Sequence, residues 1–261
     1  MDMRPLGSTG IMVSLLGLGT VKIGRNEGVK YPRGFDLPDD ASVIALLEQA
    51  RALGITLIDT APAYGRSEER LGQLLPQVGT GRADWVIATK AGEWFEDGRS
   101  RFDFSAPAII ASVETSLRRL RTDYLDVVLL HSDGVDEAGD RFLPAAEALD
   151  GLKRRGLIRA SGFSGKTPDG ARRMLDCADV MMLTYNPGYT GDLPVIAEAA
   201  AAGKGVLIKK ALASGHAADP ALALRMAAAI AGVSSIVVGT LSPANLRANA
   251  MALRAGREGE A

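Results

Sequence analysis

The chain has 261 residues, of which 47% are hydrophobic and 23% charged, and its formal net charge is −1. That length suits one large domain or two small ones with a substantial core, and a balance so near neutral exerts no bulk pull toward nucleic acid or anionic membrane. A single cysteine, Cys177, excludes an internal disulfide, and two histidines with one cysteine argue against a His/Cys metal site.

In chain order, the opening MDMRPLGSTG has no apolar signal core, and no run of about 18 apolar residues follows anywhere. A soluble cytoplasmic protein is the expectation. Residues 3–13, with a Gly-Ser-Thr-Gly turn between short extended pieces, predict a hairpin. Short, mostly apolar segments ahead of the helical patterns predict strands at 16–20, 55–59, 85–89, 125–131, 159–163, 180–185, 205–209 and 235–239. A polar loop rich in Gly and Pro, with four basic residues, fills 21–39; loops this long are often functional. Helical patterns fall at 40–53, 67–77, 106–121, 142–155, 168–176, 191–202, 218–231 and 243–255. In the segment 106–121, Ser105 is the expected N-cap and Pro107 lies in the first turn. Ile109, Val113, Leu117 and Leu120 form one apolar stripe. Arg118, Arg119 and Arg121 are read as a solvated face near a C-terminus that favours cations. The tail 256–261 is polar and expected to fray. Eight strands alternating with eight helices, with no linker between them, predict an α/β protein: one domain over 1–261, a closed (β/α)8 barrel behind an N-terminal hairpin rather than an open doubly wound sheet.

The stretch ITLIDTAPAYGRSEERLG (55–72) organises the rest. Its buried strand ends on Asp59, and Tyr64 follows in the next loop. WVIATK ends a second strand on Lys90, and LDVVLLH a third on His131. Singly, each has an ordinary reading as a turn acid, a packing aromatic, a solvated lysine or a core histidine. Together they lie at the same edge of a parallel sheet, where such folds carry their chemistry.

GLGT (17–20), DTAPAYG (59–65), SEERLG (67–72), TK (89–90), SLRRLRTDYLDVVLLH (116–131) and GLIRASGFS (156–164) resemble the aldo-keto reductase family, in the expected order, from the first residues to about Asn249. The resemblance implies a TIM barrel and carbonyl reduction with a nicotinamide cofactor. It implies Tyr64 as proton donor, Lys90 to lower the Tyr64 pKa, Asp59 to hold Lys90, and His131 to bond the substrate oxygen or the Tyr64 hydroxyl.

No G-x-G-x-x-G follows the first strand, so a Rossmann fingerprint is absent. By resemblance the nucleotide crosses the later strand ends. Thr20 and Val21, with Asp59, match positions near the nicotinamide, and Ser164 matches a carboxamide ligand. Gly165 stands where the family has Asn, Met182 where it has Gln, and Lys209 where an aromatic often stacks. Leu212 and Ser214 match a pyrophosphate loop. Gly239, Thr240 and Leu241 match an adenosine phosphate clamp, and Asn249 an adenine ligand. The usual basic residues of that clamp are replaced by Leu241 and Asn245. NADPH is the expected cofactor on family habit, with NADH possible.

Trp94 and Phe95 follow Lys90 and, with His131, are the expected substrate contacts; packing of a long 92–105 loop by Trp94, Phe95, Phe102 and Phe104 is an equal reading. A Ser/His/Asp triad through Ser132 and Asp133 is not expected, because adjacent residues of an extended strand face opposite ways. The partner is a small carbonyl compound, with no nucleic acid or membrane, and the chain is expected as a monomer or weak homo-oligomer. Gly165, Met182 and Lys209 also admit a nucleotide-binding sensor with little turnover, and the missing clamp an NAD-linked alcohol or sugar dehydrogenase.

Overall fold

The computed structural model describes residues 1–79, 81–135 and 139–258. In chain order the elements are β1 (Met3–Pro5), β2 (Met12–Ser14), β3 (Leu16–Gly19), α1 (Val21–Gly24), α2 (Asp40–Ala52), β4 (Leu57–Asp59) and α3 (Ser67–Leu74), then β5 (Val86–Ala91), β6 (Glu93–Glu96), β7 (Arg99–Phe102) and α4 (Ala106–Leu120). They continue with β8 (Leu125–His131), α5 (Leu143–Arg154), β9 (Ile158–Ser164), α6 (Pro168–Arg173), β10 (Val180–Thr184), α7 (Leu193–Ala201), β11 (Gly205–Lys209), α8 (Pro220–Ala229), β12 (Val233–Gly239) and α9 (Pro243–Glu258). Strands β3, β4, β5, β8, β9, β10, β11 and β12 form a closed barrel, and β9–β10 pairing completes the ring. Every pairing within it is parallel. The predicted (β/α)8 architecture is therefore the observed one, and β1 pairs antiparallel with β2 as the N-terminal hairpin.

Two apolar cores follow from the period-two alternation of each strand. Leu57, Ala88, Val127, Leu129, Ala160, Val180, Met182 and Leu207 pack together with Leu6, Ile11 and Val13 of the hairpin, so the barrel interior is filled and plugged at one end. The intervening residues Leu16, Leu18, Ile58, Ile87, Val128 and Leu130 pack outward with the helices. Continuing the inward parity to the carboxyl ends of the strands gives Gly19, Asp59, Lys90, His131, Ser164, Lys209 and Gly239. The top layer of an otherwise apolar barrel is thus polar and charged, and ladder pairs such as Gly19↔Asp59, His131↔Ser164 and Gly239↔Gly19 hold it in register.

Local chemistry starts and stops the helices. Prolines occupy the first turn of α4, α5, α6, α7 and α8, where their missing N–H has no intrahelical partner to lose. Side chains of Asp39, Thr167 and Asp219 accept from Ser42 N, Gly170 N and Leu222 N at the starts of α2, α6 and α8. Ser105 sits at the N-cap of α4 but makes no side-chain capping bond there. Helix α3 ends at Leu74 and tightens into a 3-10 turn over Leu75–Val78, because Pro76 cannot supply an N–H.

Four expectations are corrected. The segment after Lys90 is not a loop but the hairpin β6–β7, joined through Asp97 and Gly98 at positive φ. A one-turn helix, α1, opens the predicted 21–39 loop. Arg119 is only half-solvated: its guanidinium reaches Glu68 at 3.7 Å and Glu69 at 3.6 Å on α3, while Arg118 and Arg121 are exposed as expected. Helix α9 continues to Glu258, through half of the expected tail, and residues 259–261 lie outside the described residues. Among the described residues no helix is long and apolar enough to cross a membrane.

Candidate active site

Lys90 is the best anchored residue of the top layer. Its Nζ donates to Asp59 Oδ1 at 2.7 Å and to the Thr60 carbonyl at 2.9 Å. The Lys90 side chain is 2% exposed and that of Asp59 6%. Burial disfavours the ammonium, but the Asp59 charge and the neighbouring Tyr64 outweigh it, so the Lys90 pKa is raised. Lys90 Nζ lies 4.7 Å from the centroid of the Tyr64 ring.

The loop after β4 is fixed from below. Thr20 Oγ1 donates to the Asp59 carbonyl at 2.8 Å, and Ser67 Oγ donates to Thr20 Oγ1 at 2.8 Å. Gly65 turns with φ 59°, and a Cβ there would run into the Gly24 carbonyl oxygen. Arg25 stretches over the same loop, donating to Ala63 O at 2.9 Å with its guanidinium 3.4 Å from the Phe95 ring centroid. Tyr64 is held between these contacts. Burial raises its pKa; the Lys90 charge pulls the other way, and Asp59 adds to the rise. Lys90 acts in the expected downward direction on the Tyr64 pKa, but burial outweighs it and the net shift is upward. Asp59, 2.7 Å from the ammonium, offsets much of that field, and the phenol remains a neutral O–H.

His131 stands edge-on to Tyr64, with ring centroids 6.4 Å apart at 84°. Its Nδ1 is 2.6 Å from Oε2 of Glu93, the first residue of β6. The other oxygen, Oε1, accepts from Ser100 Oγ of β7 at 2.6 Å. Burial lowers the His131 pKa despite the opposing Glu93 carboxylate, and Lys90 and Lys209 push it the same way. For Glu93 burial acts upward, but the His131 contact and the Ser100 hydroxyl prevail and hold it at about 2. The sequence reading missed Glu93. Its signal was the Asp-Gly pair at 97–98, which marks a hairpin turn and would have fixed the segment beside the strand end. Ser132 and Asp133 turn elsewhere: Ser132 Oγ accepts from Gly134 N, and Asp133 pairs with Arg141.

Asp59, Tyr64, Lys90 and His131 line one cavity of about 340 Å³, within the range of small-ligand pockets. Thr20, Val21, Ser164, Met182, Lys209, Leu212, Ser214 and Gly239 line it as well, while Thr240, Leu241, Asn249, Trp94 and Phe95 do not. Thr240 and Asn249 are 8% exposed beyond one end, and Phe95 supports the pocket residue Arg25 from beneath. The cavity has seven basic side chains, Lys22, Arg25, Lys30, Lys90, Lys166, Lys209 and Lys210, against one carboxylate, Asp59. Lys209 Nζ donates to Ser164 Oγ at 3.0 Å and to the Gly165 carbonyl. Burial, with Lys210 and Lys90 nearby, brings its pKa down to about 7. A Cβ on Gly165 would lie 3.1 Å from Phe163 and 3.2 Å from Ala171, so an Asn there would need repacking.

These residues fit an elongated anionic nucleotide. Glycine at 19 and 239 leaves backbone bare where β3 and β12 meet: a Cβ on Gly19 would lie 3.3 Å from Gly239 N. Lys210, Ala213 and Ser214 all have positive φ, and strained backbone of this kind clusters at ligand clamps. Beyond the cavity, Ser242 Oγ accepts from Asn245 N at the start of α9.

Comparison with known proteins places the chain among similar sequences and folds. The aldo/keto reductase family profile matches residues 15–191. L-galactose dehydrogenase of Arabidopsis thaliana is 35% identical over 180 residues, covering 67% of this chain and 52% of the relative. NADH-specific methylglyoxal reductase of Escherichia coli is 36% identical over 199 residues, 70% of this chain and 58% of the relative. The chain spans little more than half the length of these curated relatives. Among solved structures, a Pseudomonas aeruginosa protein assigned to the aldo-keto reductases superposes with a TM-score of 0.88 at 47% identity, covering 97% of this chain and 94% of that one. The holo form of an aldo-keto reductase from Bacillus halodurans gives 0.79 at 27% identity, with 97% and 91% covered.

Proposed function

The chain belongs to the aldo/keto reductase family, and from that membership we propose that it reduces an aldehyde or ketone to the alcohol with NAD(P)H, using Tyr64 as the proton donor. The observation that carries the reading is the Asp59–Lys90 pair beneath the Tyr64 ring, with His131 edge-on to the same ring in one cavity. A dihydronicotinamide held along Thr20, Val21, Ser164 and Lys209 would supply the hydride to the carbonyl carbon. The chain's own residues manage the oxygen. Tyr64 gives its hydroxyl proton to the developing alkoxide, and the Lys90 ammonium stabilises the phenolate left behind. Asp59 keeps Lys90 charged and in place. His131 meets the substrate oxygen from the other side. Positioned proton donation of this kind contributes about 10²–10⁴-fold.

For the cofactor we propose NADPH, with NADH also accepted. The cationic cavity favours the more highly charged nucleotide. The segment 239–249 contributes only Arg247 as a basic residue, and its guanidinium donates to Gln49 at 3.0 Å. A hydrogen bond to a charged group is worth about 1.5–3 kcal/mol, so without one on the 2′-phosphate, discrimination stays within about tenfold. We further propose a cytoplasmic protein acting as a monomer or weak homo-oligomer.

The test is consumption of NADPH and of NADH over a panel of aldehydes and ketones, with titration of both nucleotides alongside. Protein-dependent oxidation matched by alcohol formation supports the proposal. Nucleotide binding without turnover on any carbonyl overturns it in favour of a sensor, and turnover with alcohols and NAD⁺ alone makes the chain a dehydrogenase.

A further inference from the structure

The ring nitrogen of a histidine that meets a ligand is decided by what holds the other nitrogen. At His131 that partner is Glu93, which is fixed from two sides. Glu93 begins β6 directly after Gly92, which turns with φ 93° and whose absent Cβ would lie 2.7 Å from the Phe104 ring. Cross-strand pairing of β6 with β7 fixes the backbone, and Ser100 Oγ fixes the carboxylate by its other oxygen. The result is a buried carboxylate, 8% exposed, with Oε2 2.6 Å from Nδ1. Nδ1 is itself fully enclosed and makes no hydrogen bond of regular geometry among the described residues; the Glu93 carboxylate, 2.6 Å away, is the charge it faces. With Nδ1 taken up inside, Nε2 is the nitrogen left for the cavity that His131 lines.

We propose that Glu93 is a positioning residue for His131: it keeps the ring proton on Nδ1, directs Nε2 to the reacting oxygen, and supplies the counter-charge when the ring takes up a second proton. The proposal rests on the reading of His131 as the group that meets the substrate oxygen. Its chemical consequence is directional. A neutral ring protonated on Nδ1 offers Nε2 only as an acceptor, which suits an alcohol O–H. The imidazolium offers Nε2–H as a donor, which suits a carbonyl oxygen. Carbonyl reduction is therefore faster with the protonated Glu93–His131 pair and alcohol oxidation with the neutral pair. The ionisable groups that bear on the pair are Tyr64, Lys90 and Lys209 around His131, and Arg25 and Lys166 around Glu93; a change confined to Glu93 leaves all five in place.

The chain has two histidines, so nitrogen-15 spectra of the imidazoles resolve His131 from His216, and a His216→Gln variant assigns them. This readout needs no turnover and remains valid if the carbonyl activity is absent. For the wild type near neutral pH the expected state of His131 is the neutral ring with its proton on Nδ1. In Glu93→Gln, whose amide can donate to Nδ1, the expected state is the Nε2–H tautomer. The same substitution is expected to flatten the rise of kcat/KM toward acid pH for reduction of an uncharged aromatic aldehyde, because the neutral ring of the variant already presents Nε2–H to the carbonyl oxygen, with NADPH affinity kept. An Nε2–H tautomer in the wild type overturns the proposal. So does a Glu93→Gln protein whose tautomer and pH profile are unchanged, which would leave Glu93 a structural residue of the hairpin. If His131→Ala keeps full reductase activity, the underlying reading of His131 fails while the spectra still report the pair.

Discussion

Substitution Lys90→Met tests the energetics of the site most sharply, because it removes one partner of a fully enclosed ion pair and keeps the aliphatic volume. Asp59 would lose a donor at 2.7 Å while remaining buried, and the Thr60 carbonyl would lose its donor at 2.9 Å. Removing one member of a buried pair costs about 3–5 kcal/mol, because the remaining charge is stranded. Met packs where the lysine stem lay, so the lower end, about 3 kcal/mol, is expected. Against a total stability of about 5–15 kcal/mol that is a large fraction. Asp59→Asn alone strands the Lys90 ammonium and is expected to cost a similar amount. The double variant strands neither charge and is expected to fall short of the sum of the singles by about 2 kcal/mol. Urea unfolding of the four proteins at neutral pH, with equal m-values, measures the cycle. Singles within about 1 kcal/mol of the wild type, or a double variant that equals the sum, would refute the view that the pair is enclosed and mutually dependent.

Three further outcomes follow from particular contacts. Gly65→Ala forces an alanine into the left-handed region and drives its Cβ against the Gly24 carbonyl, whereas Gly98→Ala, also at positive φ, meets nothing within 4 Å; left-handed backbone costs an L-residue about 1–2 kcal/mol, so Gly98→Ala is expected to lose about 1 kcal/mol and Gly65→Ala at least twice that in the same urea assay. Lys209, with its pKa near 7 in the folded chain against the ordinary 10.5, binds fewer protons folded than unfolded between those values. Stability therefore rises with pH across that window, by up to about 1.4 kcal/mol per unit for one proton, and denaturant midpoints of Lys209→Met measured from pH 7 to 9 are expected to show a flatter rise than the wild type. The Glu93 carboxyl, held at about 2 against its ordinary 4.5, contributes stability above pH 4.5 that is lost as the pH falls toward 2. Acid denaturation of Glu93→Gln should accordingly be less steep there, and an identical acid profile would count against the Glu93–His131 contact.

The barrel is legible in the sequence because its strands are short apolar runs of the right length and, among the described residues, six of nine α-helices carry a proline in their first residues. Asp59, Lys90 and His131 were legible for a related reason: a charge that ends an apolar strand has only one end of a parallel barrel to go to. What escaped was set by contacts between distant segments. Glu93 lies two residues beyond Ala91, but consecutive Trp94 and Phe95 break the alternation, so the pattern there resembles a loop. Arg119 belonged to a helix face that looked solvated, yet the length of the side chain lets it reach α3. The partners of Lys209 are 44 and 45 residues earlier in the chain and become neighbours only through ring closure. The net pKa of Tyr64 depends on burial against charge, a balance that residue identities alone do not weigh.

The central claim is tested most directly by Tyr64→Phe, which removes one hydroxyl and keeps the ring between Lys90 and His131. Nucleotide dissociation constants and kcat/KM for carbonyl reduction would be measured on the same preparations. The account predicts affinities for NADPH and NADH within about twofold of the wild type and a fall in kcat/KM of at least about 10²-fold. Reduction at the wild-type rate by the variant would contradict it, and the proton would have to come from elsewhere in the cavity.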